Sequence, residues 1–361
     1  MRSGKRLHLF WMLALVSIAE LTEKGAPIMT SMRDVAERCG VSIATVSRAL
    51  SGTNPVSQDV ADRIQEAVRE LGYRPNRVAR NLRSNQSSTI GLVVADIQNP
   101  FFAGIGRAVE DAAIEHGYAV FFCNTDENPE KEEIYLCHLA DENVAGIIFA
   151  PTNKAQKSLN SGKLTELTMP VVVIDRTVAR DDTDLVLIDN VAAARELTEH
   201  LIGHGHRRIA GLFGAKSSTG AERRHGFQAA LEHHGIPLDA GLELMLSPFE
   251  EEGYRATREL LDRDVPPEAI LVSNGRLAVG AYRALMESGC RCPEEVAFAS
   301  FDESAWTSLV KPSVTLIAQP TREIGKAAVE LLLGRIAEPH RPVRQVVLRH
   351  ELRLGHSCGC P

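Results

Sequence analysis

The sequence predicts a small all-α head followed by a larger α/β body of two lobes, each built on a doubly wound parallel sheet. Three observations support this fold class. Residues 29–73 contain three short amphipathic helical segments in succession. From residue 88 the pattern changes to short apolar runs that alternate with helical segments. The two parts also differ in net charge, so they are expected to have different surroundings or partners.

The head begins with two short helices joined by a tight turn. Gly40 is expected to end the first helix, and Ser42 is well placed to cap the second because its hydroxyl can accept a hydrogen bond from an orphan amide. The apolar positions of these two helices are Val35, Ala36, Val46, Ala49 and Leu50. Two short helices around a Gly-containing turn is the helix-turn-helix layout, whose second helix enters the major groove of DNA.

A third helix is predicted from Ser57 to Leu71, with Ser57 as its own cap. Its inward-facing positions are Val60, Ile64, Ala67, Val68 and Leu71. The segment that follows, residues 74–83, contains four Arg and no acidic residue. A basic run usually marks a solvated surface, but its place beside a helix-turn-helix favours contact with nucleic acid.

The charge is unevenly distributed along the chain. Residues 29–88 carry nine Arg against six Asp and Glu, a balance of +3, and residues 1–28 carry a balance of +2. Because the whole chain has a net charge of −7, the remainder carries −12. A basic head on an acidic body suits a protein that places only its head on a polyanion.

The body shows near-continuous apolar strands joined by helical crossovers, a pattern typical of parallel sheets covered on both faces. Strands are predicted at 90–95, 118–123, 145–150, 171–175, 185–188, 208–213, 269–272, 296–300 and 314–318, and helices at 102–116 and 129–141. In such folds a ligand binds in the crevice at the carboxyl ends of the strands.

Three segments carry a family resemblance, in order and spacing. "DVAERCGVSIATVSRAL", "VRELGYRPNRVARNLR" and "NPFF" resemble the bacterial regulators typified by the lactose and purine repressors, with a body similar to periplasmic sugar-binding proteins. The resemblance implies a helix-turn-helix domain at 29–73, a hinge helix and linker at 74–87, and a two-lobed effector-binding and dimerisation domain at 88–358. It places residues 88–189 and a return segment after Gln319 in the first lobe. The second lobe would take 190–318 and a final strand near 346–354.

The resemblance also implies which residues touch DNA. Ile43, Ala44 and Arg48 match base-contacting positions of the family, and Arg48 alone among them can bond guanine in bidentate fashion. Leu82 matches the apolar wedge of the hinge helix, although an ordinary linker helix with Leu82 on a core face would look the same. The full expected set is Ser42, Ile43, Ala44, Thr45, Ser47, Arg48, Asn76, Arg77, Ala79, Arg80 and Leu82.

Polar and aromatic residues recur at the predicted strand ends, where carboxylate, amide and guanidinium groups could bond sugar hydroxyls and Phe rings could cover an apolar sugar face. Similarity to ribose-binding protein implies an effector site there. Its expected residues are Asn99, Phe101, Phe102, Asp175, Arg176, Arg223, Phe249, Asn274, Asp302 and Gln319. Asp96 is better explained as a local cap.

Some positions depart from the relatives' patterns. Asn274-Gly275 stands where the family usually has Asn-Asp, and Ala150 and Ile188 stand where ribose-binding protein has polar residues, which weakens a pentose assignment. The segment "IDR" at 174–176 differs from the purine repressor's pattern, which disfavours a purine effector.

The first 28 residues have the outline of a secretory signal, with basic residues before a short apolar run. Export would separate a DNA-binding head from its target, so we expect a leader that is non-native or mis-annotated, with Met29 or Met32 as the true start. The alternative is a genuine signal or anchor.

The seven cysteines form no obvious framework. Cys290-Arg-Cys292 and Cys358-Gly-Cys360 have C-x-C spacing, and His356 lies near the second pair, but structural zinc sites usually use pairs spaced C-x₂₋₄-C. We therefore predict no metal and no cofactor. Gly104-Ile-Gly106 lacks a third glycine at dinucleotide spacing, and catalytic signatures such as G-x-S-x-G and H-E-x-x-H are absent from the sequence, so we predict no enzyme activity.

Together these features predict a cytoplasmic transcriptional regulator, most simply a repressor, that binds a near-palindromic operator as a homodimer and responds to a small sugar or sugar derivative. One alternative is a periplasmic sugar-binding protein for uptake, which would have no use for residues 32–83. Another is a purine- or nucleoside-responsive regulator of the same architecture.

Overall fold

The computed structural model describes residues 30–51, 56–73, 87–152, 169–178, 182–215 and 217–360. They fall into two units that divide between Asn85 and Gln86. The predicted leader and most of the predicted hinge segment, residues 74–86, lie outside the described residues.

The head consists of three helices, α1 (Met32–Cys39), α2 (Ile43–Ser51) and α3 (Gln58–Glu70). A capping box between Ser31 and Asp34 starts α1, and Gly40, with φ of 63°, ends it in the left-handed region. The three helices share one small apolar core, whose buried members are Val35, Ala36, Cys39, Val46, Ile64, Ala67 and Tyr73.

The two predicted caps in the head have different outcomes. The Ser42 hydroxyl accepts a hydrogen bond from the Thr45 amide at 3.1 Å, as predicted for the start of α2. Ser57 precedes α3 at the cap position, but its side chain makes no capping bond, so the prediction that it caps that helix by hydrogen bonding is wrong. A further hydrogen bond joins the two ends of the head: the Thr30 hydroxyl donates to the carbonyl of Leu71 at 2.9 Å.

Two strands near the end of the chain, β11 (Gln345–Leu348) and β12 (Glu351–Arg353), each complete one of the two sheets of the body. The first lobe is built on a six-stranded sheet with strand order β11-β5-β4-β3-β1-β2. Its strands are parallel in register, β1 beside both β2 and β3. The elements of this part of the chain are β1 (Thr89–Val94), α4 (Pro100–Glu115), β2 (Ala119–Asn124), α5 (Pro129–Asp141), β3 (Ile147–Phe149), β4 (Val171–Ile174) and β5 (Asp184–Ile188).

The second lobe repeats this plan with the order β12-β10-β9-β8-β6-β7. Its elements are α6 (Asn190–Gly203), β6 (Ile209–Gly214), α7 (Ser218–His233), β7 (Glu243–Leu246), α8 (Glu250–Leu261), β8 (Ala269–Val272), α9 (Gly275–Glu287), β9 (Ala297–Phe301), α10 (Ala305–Leu309) and β10 (Thr315–Ala318). After β10 the chain returns to the first lobe as α11 (Thr321–Ala337), as predicted for the segment after Gln319.

The end of the chain corrects one prediction. A single final strand was expected in the second lobe, but the segment forms two strands, β11 (Gln345–Leu348) and β12 (Glu351–Arg353). β11 adds in parallel to β5 in the first sheet, and β12 pairs antiparallel with β10 in the second. The chain therefore passes between the lobes three times, at Asp189, at residues 319–320 and at residues 349–350.

The edges of the sheets account for the other differences. β2 is an edge strand, and Phe121 and Phe122 are 48% and 41% exposed, so the expectation of burial on both faces does not hold there. In the second sheet the corresponding edge strand, β7, was not predicted, because Glu243 shortens its apolar run to three residues. Among the described residues, no helix combines the length and apolar character needed to cross a membrane.

Candidate functional site

An open cleft of about 550 Å³ lies where the carboxyl ends of the two sheets face each other. Parallel strands end at a common edge, so the strand-end residues of both lobes meet at this cleft. Of the residues predicted for an effector site, those that line the cleft are Asn99, Phe101, Phe102, Asp175, Arg176, Arg223, Asn274, Asp302 and Gln319. Phe249 does not line it: its ring is 41% exposed, and the neighbouring Pro248 faces the cleft instead.

The first lobe supplies an amide and two aromatic rings from the start of α4. Asn99 caps this helix, because its side-chain oxygen accepts from the Phe101 amide at 3.1 Å, which leaves its NH₂ group available. Phe101 and Phe102 are buried and pack edge to face, with ring centroids 5.0 Å apart. Asp96 accepts from the Gln98 amide at 2.9 Å, a local turn bond in keeping with the capping role expected for it.

Arg176 is held mainly by protein groups. Its guanidinium forms a two-point ion pair with Glu127, at 2.5 and 2.9 Å, and also donates to the Pro151 carbonyl at 2.9 Å. Its Nε atom is buried without a hydrogen-bond partner among the described residues, 3.4 Å from the nearest oxygen of Asp175. The Nε donor of Arg176 therefore remains to be satisfied, and in the described structure the rest of the guanidinium mainly links Glu127 to the Pro151 carbonyl.

Two carboxyl groups near Arg176 have shifted acidity. Burial raises the pKa of Asp175 to about 6, against the opposing effects of the Arg176 and Arg223 charges. Burial likewise raises the pKa of Glu132 to about 7, although the Thr152 amide donates to this carboxyl at 2.6 Å. Asp175 lines the cleft, so the first-lobe wall gains negative charge as the pH rises through about 6, whereas Glu132 is buried outside the cleft lining.

Arg223 occupies the second-lobe wall and is 3% exposed. Its Nε donates to Asn190 at 2.8 Å, its Nη1 donates to the carbonyl of Ser273 at 2.5 Å, and its guanidinium lies 4.2 Å from the centre of the Phe301 ring. Among the described residues nothing accepts a hydrogen bond from Nη2. The two N–H groups of Nη2 on this firmly positioned cation are thus left for a bound molecule.

Asp302 forms the centre of the second-lobe wall. One of its oxygens accepts from the Gly275 amide at 2.9 Å, and the other accepts from the Gln319 side chain at 2.6 Å. Each carboxylate oxygen can accept a second bond, so Asp302 still has acceptor capacity toward the cleft. Asn274 caps α9 through its side-chain oxygen, 2.8 Å from the Leu277 amide, and keeps its NH₂ group as a further donor.

The two cleft carboxylates share an unusual backbone conformation. Asp175 follows β4 with φ of 65°, and Asp302 follows β9 with φ of 72°. Non-glycine residues in the left-handed region are uncommon and cluster at functional sites, where the surrounding structure holds them in place. The two lobes thus present their acidic groups by the same local geometry.

Direct contacts join the two lobes beside the cleft. Arg276, at the start of α9, donates to the Gln98 side chain at 2.7 Å and lies 3.9 Å from Asp96. The Thr177 amide donates to the Ser218 hydroxyl at 3.2 Å. Sequence reasoning missed Arg276 although it lies only two residues after Asn274, at the same strand end. It also missed Glu127, which follows β2 in a loop that carries no comparable signal.

The predicted DNA-contacting residues of the head lie on or just before α2. Ile43 is 43% exposed although it is apolar, and Ser42, Ala44 and Arg48 are also exposed. Thr45 and Ser47 are half-buried. Arg48 folds back along the helix, donating to the Ala44 carbonyl at 3.3 Å and to the Thr45 hydroxyl at 3.4 Å. The remaining members of the set, Asn76, Arg77, Ala79, Arg80 and Leu82, lie outside the described residues.

Two family models match the chain. One, described as bacterial regulatory proteins of the lacI family, matches residues 31–76. The other, described as periplasmic binding proteins and the sugar-binding domain of the LacI family, matches residues 87–352. Together they cover both the head and the two-lobed body.

Individual relatives agree with these matches. A ribose operon repressor of Halalkalibacterium halodurans is 37% identical over 309 residues, which cover 85% of this chain and 91% of the relative. A LacI family regulator from Enterococcus faecium with bound ribose has 31% identity and a TM-score of 0.68, covering 74% of this chain and 98% of that one.

A lac repressor dimer bound to operator and an anti-inducer has 26% identity and a TM-score of 0.81, covering 91% of this chain and 99% of that one. The relatives are regulators of transcription rather than enzymes. Because the matches extend over the helix-turn-helix and both lobes, the chain belongs to the lacI family of bacterial regulatory proteins and is a DNA-binding transcriptional regulator.

Proposed function

We propose that the chain is a cytoplasmic repressor that binds a near-palindromic operator as a homodimer and responds to a small sugar held in the cleft between its lobes. The observation that carries this proposal is the convergence of donors and acceptors from both lobes on one cleft. A ligand bonded to both walls must favour one arrangement of the lobes, and that preference is what allows it to alter DNA affinity.

The chemistry of the cleft fits a polyhydroxylated ligand. Asp175 and Asp302 offer acceptors, and Arg223 Nη2 and the NH₂ groups of Asn99 and Asn274 offer donors. Adjacent sugar hydroxyls both donate and accept, so they match such a mixed set better than an apolar or purely anionic ligand would. The ring of Phe102 lies beside these groups and suits the apolar face of a sugar.

Ribose is the first candidate for the effector, because one relative is named a ribose operon repressor and a similar regulator holds bound ribose. Two of the departures from ribose-binding protein, at Ala150 and Ile188, do not count against a pentose in this structure. Ala150 and Ile188 are buried in the apolar cores and do not line the cleft, so their side chains do not bear on ligand chemistry.

The third departure, Gly275 in place of the family's usual Asp, lies at the edge of the site. A Cβ atom on Gly275 would approach the Cβ of Asp302 to 3.2 Å, so an Asp at position 275 would crowd that residue.

The purine alternative is less favoured because the guanidinium of Arg176 is already bonded to Glu127 and Pro151. A periplasmic uptake role is disfavoured by the folded three-helix head, for which such a protein has no use.

On the DNA side, we propose that α2 enters the major groove and that Ser42, Ile43, Ala44, Thr45, Ser47 and Arg48 face the bases and backbone there. The exposed apolar Ile43 supports this arrangement, because an isoleucine on a free surface has no folding role but can pack against a thymine methyl group. Residues 76–82 are proposed to contact the minor groove through Leu82 and the phosphates through Arg77 and Arg80.

The experiment that tests this function is an operator titration with and without ribose, other pentoses, hexoses, sugar acids and purine bases. One sugar is expected to change operator affinity by about 5- to 150-fold. The Asp302→Asn variant is nearly isosteric and should lose that response while keeping its ligand-free operator affinity. Asp264→Asn, an exposed second-lobe change away from the cleft, is the matched control. If Asp302→Asn responds at wild-type sugar concentrations, the effector site is misassigned.

A further inference from the structure

Four side chains that can ligate metal converge at the far end of the second lobe, away from the cleft residues. His200 Nε2 lies 3.2 Å from Cys358 Sγ and 3.5 Å from Cys360 Sγ. His204 Nε2 lies 3.2 Å from Cys360 Sγ, and the two sulfur atoms are 3.1 Å apart. All four potential ligand atoms lie within 4.8 Å of one another.

Two separate parts of the chain bring these groups together. His200 lies in the last turn of α6 and His204 follows at its C-cap, a four-residue spacing that places both rings on one side of the helix. Cys358 and Cys360 lie in the chain terminus that follows β12. Gly359 between them has φ of 95°, a conformation that favours glycine, and lies against the His204 ring.

The terminus is fixed in this place by bonds that do not involve the four groups. The Ser357 hydroxyl donates to the Phe298 carbonyl at 2.6 Å and accepts from the Thr315 amide at 2.9 Å. The Phe298 amide donates to the Ser357 carbonyl at 2.7 Å. A site whose backbone is already positioned loses little conformational entropy when it binds an ion.

The separations fit a tetrahedral ion. Zinc–sulfur bonds of about 2.3 Å and zinc–nitrogen bonds of about 2.0–2.1 Å place tetrahedral ligand atoms roughly 3.3–3.8 Å apart. The four separations given above, 3.1 to 3.5 Å, lie within about 0.7 Å of those values, and the remaining pairs of ligand atoms lie within 4.8 Å. We propose that His200, His204, Cys358 and Cys360 form a Cys₂His₂ site for a structural zinc ion, which the sequence analysis did not predict.

The chemistry of the donors selects the metal class. Two thiolates and two imidazoles are ligands for zinc and disfavour magnesium and calcium, which prefer oxygen. On binding, each thiol releases its proton to solvent and the imidazoles bind as neutral rings. The Thr315 hydroxyl donates to Cys358 Sγ at 2.9 Å, which is the kind of supporting bond that orients a thiolate ligand.

The second C-x-C pair provides an internal comparison. Cys290 and Cys292 have the same spacing, but no histidine ligand joins them in a cluster among the described residues. His356, the nearest histidine to Cys358 along the chain, bonds the Ser313 hydroxyl at 3.0 Å and is not a ligand. The spacing alone does not make the site; the helix that carries His200 and His204 completes it.

The test uses the full-length chain, prepared without a histidine tag and with thiols kept reduced. About one zinc per chain is expected by elemental analysis after dialysis. Replacing zinc with Co²⁺ should give visible d–d absorption bands together with a near-ultraviolet thiolate-to-cobalt band, which report tetrahedral sulfur ligation. Chelation should lower the melting temperature by about 5 °C, because the ion binds only the folded site.

The variants Cys360→Ser and His204→Ala change the two less buried ligands and should reduce zinc content and the cobalt bands at least tenfold while the chain stays folded. Cys290→Ser is the matched control and should retain both. The proposal is overturned if reduced wild-type chain holds less than one zinc per ten chains in excess zinc. It is also overturned if Cys290→Ser loses the metal as Cys360→Ser does, or if the native chain carries a Cys358–Cys360 disulfide.

Discussion

The contact between Gln98 and Arg276 allows a test of lobe closure that does not touch the ligand. Gln98 is exposed, belongs to the first lobe and does not line the cleft, whereas Arg276 reaches it from the second lobe. Gln98→Ala removes the acceptor of this 2.7 Å bond without substituting any residue that lines the cleft. The variant should therefore change the equilibrium between open and closed lobes without changing the contacts to a bound sugar.

The size of the effect follows from the kind of bond. A buried hydrogen bond to a charged group contributes roughly 1.5–3 kcal/mol, and exposure of Gln98 reduces this to about 1 kcal/mol. Since 1.4 kcal/mol corresponds to a factor of ten, the apparent effector affinity should fall by up to about fivefold. The full fivefold loss requires a ligand-free chain that is mainly open, because only then does the closed fraction scale with the bond's free energy.

The assay is calorimetric titration of the effector into wild type, Gln98→Ala and Gln98→Glu. Gln98→Glu replaces a neutral acceptor of Arg276 by a charged one and should tighten binding, although repulsion from nearby Asp96 limits the gain. Operator binding without effector reports any damage to the head. Wild-type sugar affinity in both variants would refute the view that this contact holds the lobes closed.

Three further predictions concern stability and DNA. Burial raises the pKa of Glu132 to about 7, so this carboxyl contributes fully to the free energy of unfolding at low pH, and the contribution is lost as the pH rises from about 4 through 7. The wild-type chain should therefore lose about 3 kcal/mol of stability over this range, and Glu132→Gln should not, as measured by urea unfolding at pH 5 and pH 8. Arg223→Ala leaves the oxygens of Asn190 and Ser273 without their donor and should lower the unfolding free energy by about 2–4 kcal/mol, measured by the same method, whereas a change under 0.5 kcal/mol would contradict the bonding described. Arg48→Ala should reduce discrimination between operator variants by about 1–3 kcal/mol in competition binding, and unchanged base preference would remove Arg48 from the base-contacting set.

Local sequence signals predicted the parts of the fold that depend on neighbouring residues. Gly40 ends α1 and Ser42 caps α2 because a turn in the left-handed region and an N-terminal hydroxyl act within a few residues. The rule that parallel strands end at a common edge likewise placed Asp175 and Asp302 each at the carboxyl-end edge of its own sheet. That the two residues line one cleft was implied by the resemblance to sugar-binding proteins.

The remaining features depend on partners far apart in the chain. Only two residues separate β11 from β12, and their division between two sheets depends on which edge strand each can pair with. Phe249 follows the edge strand β7, which the sequence did not predict, and it is exposed outside the cleft lining. His200 and Cys358 are 158 residues apart, so neither spacing nor composition could bring them together.

The three passages of the chain between the lobes restrict how the lobes can move. Two domains joined by one connecting segment can rotate about several axes, whereas three connections that lie side by side leave mainly one axis of rotation. We therefore expect every sugar that closes the lobes to do so by rotation about the same axis. Cleavage of the chain at residues 349–350, for example, would leave the connections at Asp189 and residues 319–320 intact. The lobes would then stay joined but could rotate about further axes.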